Sequence, residues 1–238
     1  MNITYSTLSD QGERKVNEDC LGVVNMKEGI GFVLCDGLGG HGKGDVASAF
    51  VVEKMQEALE NSFSLEAGIL YAQQHLMEKQ IQEHAQNSMK TTVAALTISD
   101  DKARFAHVGD SRIYYFENSK YIQRSQDHSM PQLLVKCGEI REKDIRHHED
   151  RSRLLRVMGT EWENPKYEVV ENIPVTEHTS FLLCSDGFWE LIDERHMCKT
   201  LKKAKTPEEW LQSMRQIVLK NGRGTNMDNY SAIAIFIR

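Results

Sequence analysis

The chain has no excess of positive charge, little proline and no long apolar run, and each shortage removes a class of function. Lys and Arg number 29 against 35 Asp and Glu in 238 residues, a formal net charge of −6. General nucleic-acid binding calls for a basic face, so no nucleic-acid partner is expected. There is no polybasic cluster to hold anionic lipid, and no stretch approaches a membrane span, so no membrane association is expected either. Residues 1–10 are polar and lack the apolar core of a secretory signal, which points to a cytoplasmic protein. The five cysteines are odd in number and form no C-x-x-C pair. Cys35 and Cys184 lie in apolar runs, where cysteine packs as a small hydrophobe, so a disulfide framework or a zinc site is not expected. With four prolines and no Gly/Ser linker or repeat, residues 1–238 read as one domain and as a monomer.

What is present is patterned. Residues 30–35, 103–108, 112–116, 181–184 and 232–237 are short, nearly continuous apolar runs, the signature of strands covered on both faces. Ala47, Val51, Met55 and Ala58 recur at helical spacing, as do Leu65, Ile69, Ala72 and Leu76. Thr206-Pro207-Glu208-Glu209 predicts a capped helix start, Trp210, Met214, Ile217 and Val218 its apolar face, and Gly222 its end. Strands and helices do not alternate regularly, so an α+β layered fold is expected over a doubly wound sheet. The charged stretch 127–160 reads as an exposed helical insert. Arg124, His147-His148 and Lys202-Lys203 read as surface charge.

Four aspartates share one kind of position. Asp36, Asp110 and Asp186 each follow an apolar run, and Asp228 precedes one. If the last strand runs antiparallel to the others, all four reach one sheet edge. An aspartate alone often just starts a turn. Four carboxylates together repel unless a cation sits among them, and all-oxygen ligands select Mg²⁺ or Mn²⁺ before zinc. The glycine-dense loop 36–44 matches neither a P-loop nor a dinucleotide fingerprint.

The blocks DQGERKVNED, FVLCDGLGGHGKGDVAS, TTVAAL, FAHVGDSRIYYF, DHS, LLCSDGFWEL and NMDNYSAIAI follow one another from residue 10 to the C-terminus. In content and order they resemble the protein phosphatase 2C family in its compact bacterial form. That resemblance implies a central β-sandwich of two antiparallel sheets flanked by α-helices, with a helical flap insert. It also implies two Mn²⁺ or Mg²⁺ ions, with a third more weakly held. By position Asp36 would bridge the two metals. The Gly37 carbonyl would ligate one, and Asp186 and Asp228 the other. Glu18 would hold metal-bound water, Asp110 the third metal, and Arg14 the substrate phosphate, with Asp19 and Asn229 in support.

The implied activity is a serine/threonine protein phosphatase, acting by in-line attack of a metal-bridging hydroxide on phosphoproteins made by a serine/threonine kinase. A metal pair suits this task, because phosphomonoesters are among the slowest reactions in water. Leu38 stands where many relatives carry a histidine proposed as general acid, and Lys90 where glycine is common. His41, three residues after Leu38, reads as solvated or packed. A catalytically silent phosphoprotein-binding module and a phosphatase for small phosphoesters are the alternatives.

Overall fold

The computed structural model describes residues 2–39 and 42–238, so the expectation for His41 lies outside the described residues. Ten strands form two five-stranded sheets. The first takes the order β1 (Ile3–Asp10), β10 (Tyr230–Ile237), β9 (Thr179–Cys184), β6 (Arg112–Glu117) and β7 (Lys120–Arg124). The second takes the order β2 (Asp19–Asn25), β3 (Ile30–Asp36), β4 (Val93–Ser99), β5 (Lys102–Val108) and β8 (Glu168–Pro174). Every neighbouring pair is antiparallel.

The inner faces of the sheets meet through Phe32, Leu34, Phe105, Ile113, Phe181, Leu183, Ile233 and Ile235. The outer face of the second sheet is covered by α1 (Gly44–Glu60) and α2 (Leu65–Gln82), which bury the expected stripes from Ala47 to Leu76. The outer face of the first is covered by α4 (Asp186–Trp189), α5 (Glu194–Leu201) and α6 (Pro207–Gly222), following α3 (Met130–Lys136) in the chain. This is an α/β/β/α sandwich, and it explains why the central strands are apolar at successive positions: both of their faces are covered. Thr206 caps α6 by accepting from the Glu209 amide at 3.2 Å. The Glu209 carboxylate reaches the Lys205 amide at 2.8 Å, one residue before the position a capping box would use.

Topology puts the four aspartates at one end. Strands β3 and β5 are both antiparallel to β4, so their C-termini emerge on the same edge. The end of β9 lies beside the start of β10 for the same reason.

Two readings of the polar segments are corrected. The insert is helical only over the seven residues of α3 and a short 3-10 turn, Glu142–His147. Its first residues are not exposed: Asp127, His128, Ser129 and Gln132 are buried. Arg124 is not surface charge either, because its guanidinium is buried against Asp127 at 3.1 Å and Gln132 at 2.9 Å.

Candidate active site

One cleft of about 960 Å³ opens at this end of the sandwich. Arg14, Glu18, Asp36, Gly37, Asp110, Asp186 and Asp228 all line it. They come from both sheets, so packing the sheets together is what assembles the cluster. Leu154, Leu155, Arg156 and Val157 of the insert form another wall.

Asp36 ends β3 and is held on both sides. Its amide donates to Thr92 Oγ1 at 2.9 Å, and its carbonyl accepts from Thr91 Oγ1 and the Thr92 amide, each at 2.8 Å. Its carboxyl feels the charge of Asp186 across the inter-sheet gap. Burial, followed by the charges of Asp186, Asp19, Asp110 and Asp228, pushes the Asp36 carboxyl well above the usual range. Burial and the neighbouring Glu190 and Asp228 push Asp186 up to about 7. Asp110 is raised by burial, Asp186 and Asp127, against the pull of Arg112. Glu18 is raised by burial, Asp45 and Asp228.

Two glycines of the loop after Asp36 sit where a side chain would meet a neighbour at once. A Cβ on Gly37 would collide with the Gly44 carbonyl, and one on Gly39 would collide with the Glu18 carboxylate. Glu18 is thus pressed against the glycine-rich backbone and faces the aspartates.

Asp19 and Asn229 build the frame. Asn229 Oδ1 accepts from the Glu18 amide at 2.8 Å, and its Nδ2 donates to the Gln11 and Val16 carbonyls at 2.9 and 3.0 Å. One amide side chain therefore ties the loop carrying Arg14 and Glu18 to the strand after Asp228. Asp19 accepts from Ser185 Oγ at 2.8 Å, while its other oxygen is buried with no partner. Burial, reinforced by Asp186 and Asp228, pushes it up to about 7 even though Ser231 and Ser185 pull the other way.

His128 holds the turn before Asp110. Its Nδ1 accepts from the Gly109 amide at 3.2 Å, and its own amide donates to the Gly109 carbonyl at 2.9 Å. Burial and the stacked His107 ring, 4.5 Å away, lower its pKa to about 2, so it stays neutral and keeps that lone pair. His107, His128 and the Glu168 carboxylate also converge. The imidazole planes lie nearly parallel, at 16°, so the two rings cannot both aim a lone pair at one ion in this arrangement.

Arg14 pairs with one of the expected metal ligands. Its Nε and Nη2 donate to the two carboxylate oxygens of Asp228 at 2.9 and 2.8 Å, with both side chains nearly half exposed. Lys15, Lys90, Leu155 and Arg156 also line the cleft without having been assigned a role from sequence. Lys90 carried only the signal of an unusual residue before Thr91-Thr92, and its carbonyl accepts from the Leu38 amide at 2.9 Å.

The donor set fits hard divalent cations. It is all oxygen, it comes from rigid strand ends, and it holds several carboxyls that burial and mutual repulsion keep from ionising easily. The orphaned Asp19 oxygen has the same character.

Comparison with known proteins agrees with this geometry. The chain is 34% identical over 214 residues to the serine/threonine phosphatase stp of Listeria innocua, covering 84% of each protein. It is 29% identical over 199 residues to the protein phosphatase PhpP of Streptococcus pneumoniae, covering 79% of each. The crystal structure of the serine/threonine phosphatase Stp1 from Staphylococcus aureus superposes with a TM-score of 0.88 at 27% identity, covering 100% of this chain and 96% of that one. The family model for protein phosphatase 2C matches residues 9–229, and the chain belongs to that family.

Proposed function

We propose that the protein is a metal-dependent serine/threonine phosphatase that hydrolyses phosphoserine and phosphothreonine in other proteins. The observation that carries this is the cluster of buried, mutually repelling carboxylates from two sheets, with an arginine fork at its edge. Asp36, the Gly37 carbonyl, Asp186 and Asp228 would hold two Mn²⁺ or Mg²⁺ ions, Glu18 would act through water, and Asp110 would serve a third. Bound there, such ions supply a nucleophilic water at neutral pH and offset charge on the phosphoryl oxygens. The solved catalytic domain of PstP, with the same fold, was crystallised with two manganese ions.

The chain's own groups do the rest. Arg14 offers a planar fork matched to phosphate oxygens, which exchange with Asp228 as its partner. Asp19 and Asn229 hold the ligand-bearing loops. Leu38 brings no proton to the leaving oxygen, so this position does not supply a general acid. The open cleft and the wall formed by the insert suit an extended phosphopeptide more than an enclosed small molecule. The insert over residues 127–160 would then tune peptide preference, and exchanging it with a relative's should change that preference.

No helix among the described residues is long and apolar enough to cross a membrane. We take the physiological setting to be cytoplasmic, with the protein a single-domain monomer opposing a serine/threonine kinase.

The test is phosphate release from a phosphothreonine peptide, a nucleotide and a sugar phosphate, each with and without Mn²⁺. Metal-dependent release fastest from the peptide is expected. Release only from the small esters would move the function to small-molecule chemistry. No release from a folded, metal-loaded protein would favour a binding module.

A further inference from the structure

We propose that Cys20 and Cys35 form a peroxide-sensitive pair that closes as a cross-strand disulfide and disturbs the aspartates beside it. The two residues are direct partners in the antiparallel register of β2 and β3. Directly opposed residues point to the same face. Both side chains pack toward the layer of α1 and α2, and both are free thiols.

The pairing type follows from the hydrogen bonds. The Gly37 amide donates to the Glu18 carbonyl at 3.0 Å, so Glu18 and Gly37 are a hydrogen-bonded pair. Two residues further along each strand, Cys20 and Cys35 are one as well. The Thr92 amide bond to the Asp36 carbonyl agrees, because it turns Asp36 toward β4 and leaves Cys35 facing β2. Such pairs sit at about 5.5 Å between Cα atoms. A disulfide needs about 4.4–6.8 Å. The Cβ atoms of a hydrogen-bonded pair lie toward about 5.5 Å, beyond the roughly 3.5–4.5 Å of a relaxed disulfide, so closing the bond draws the two strands together.

Access is divided between the two thiols. Cys20 lies on β2, an edge strand, and is half-buried, whereas Cys35 on β3 is fully buried. Burial holds both thiols above the usual range, Cys35 the more, so the oxidation is slow and hydrogen peroxide meets Cys20 first. Its sulfur attacks a peroxide oxygen, an S–O bond forms, the O–O bond breaks, and hydroxide leaves as water with the thiol proton. The Cys35 sulfur then attacks the Cys20 sulfur. The S–S bond forms, the S–O bond breaks, and a second water leaves with the Cys35 proton. Two thiols are oxidised and one peroxide is reduced to two waters.

The neighbours give the bond a consequence. Asp19 precedes Cys20, Asp36 follows Cys35, and these two aspartates are themselves register partners. Tightening the pair twists the strand ends that carry them.

The test treats the full chain with hydrogen peroxide, followed by desalting. Digestion with trypsin separates residues 16–27 from 28–43, and each fragment holds one cysteine. Without reductant, these fragments should appear joined in the wild type and separate in Cys20→Ser and Cys35→Ser. The oxidised wild type should bind Mn²⁺ at least ten-fold more weakly by calorimetry and lose turnover in proportion. Dithiothreitol should restore both. Cys20 found as sulfinic acid beside a reduced Cys35 would overturn the pairing. A joined peptide with unchanged Mn²⁺ affinity would overturn the effect on the site. The cross-link does not depend on the proposed phosphatase function, whereas its effect on turnover does, so the mass and activity readouts fail separately.

Discussion

Buried carboxylates in two adjoining regions of this fold are in opposite electrostatic conditions. Asp127 is paired: Arg112 Nε and Nη2 donate to it at 2.8 and 2.6 Å, and Arg124 adds a third bond at 3.1 Å. Although burial pushes the other way, the two guanidinium groups hold the Asp127 carboxyl below its ordinary range. Asp36, Asp110 and Asp186 have no such partner in contact, and their carboxyls are all raised. The two regions touch. Trp189 donates its indole N–H to the Asp110 carbonyl at 3.0 Å, and the Arg112 guanidinium lies 3.4 Å from the centre of its ring. Burial is common to both, so burial alone does not decide the outcome. The protein supplies the cations to one cluster and leaves the other to be completed from solution.

The largest expected effect sharpens that contrast through catalysis. Asp36→Asn or Asp186→Asn should lower Mn²⁺-dependent turnover by roughly 10³-fold, the upper end of what removing one preorganised electrostatic group does. Steady-state phosphate release measures it. In the absence of metal the same substitutions should raise the melting temperature, because a neutral amide replaces a carboxyl that burial penalises.

Asp127→Ala should do the reverse. It leaves Arg112 buried without its counter-ion, which costs about 3–5 kcal/mol. Each kcal/mol is worth about 2–4 °C in a chain of this size. Thermal unfolding of both variants in chelator should therefore move in opposite directions. Movement in the same direction would break the distinction between paired and unpaired acids.

Arg14→Ala should be next in size. Hydrogen bonds to a charged group are worth about 1.5–3 kcal/mol, so kcat/KM should fall about 10–100-fold, mostly through KM. An unchanged KM would leave Arg14 as no more than a partner of Asp228.

The smallest effect is a pH dependence. Asp186 is raised to about 7 and Asp36 is raised as well, so both bind protons more readily folded than unfolded. The charged form of Asp186 costs stability above about 7, and that cost fades as pH falls toward the unfolded value. The metal-free Asp186→Asn variant should be more stable than wild type at pH 7.5, with the advantage shrinking toward pH 5. Asp127 is lowered, so its stabilisation is full above its unfolded pKa. That stabilisation is lost only as pH falls through the lower folded value. The Asp127→Asn penalty should therefore be constant over the same window. Denaturant titrations at the two pH values compare them.

The sequence showed the middle of this fold better than its edges. The runs at 30–35, 181–184 and 232–237 became β3, β9 and β10, each covered on both faces. The edge strands β1, β2, β7 and β8 were not read: polar residues interrupt the apolar ones of β1, β7 and β8, and Gly22 breaks the short apolar run of β2. Central β4 also escaped, since its alanines bury little and signal little.

At the site, the positions were legible because strand ends and glycine turns are local features. The partnerships were not. Nothing around Asp127 in sequence says that Arg112, 15 residues away, will share it with Arg124. Nor does the local pattern reveal that Arg14 reaches Asp228, 214 residues away. Those pairings depend on how the two sheets and the insert close on one another.

The central claim, that the unpaired carboxylates form a cation site and the paired one does not, is tested most directly by calorimetric titration of Mn²⁺. The proteins are wild type, Asp36→Asn and Asp127→Asn, at pH 7.5. Wild type and Asp127→Asn should bind alike while folded, and Asp36→Asn should show no comparable binding. Equal binding by wild type and Asp36→Asn would contradict the account.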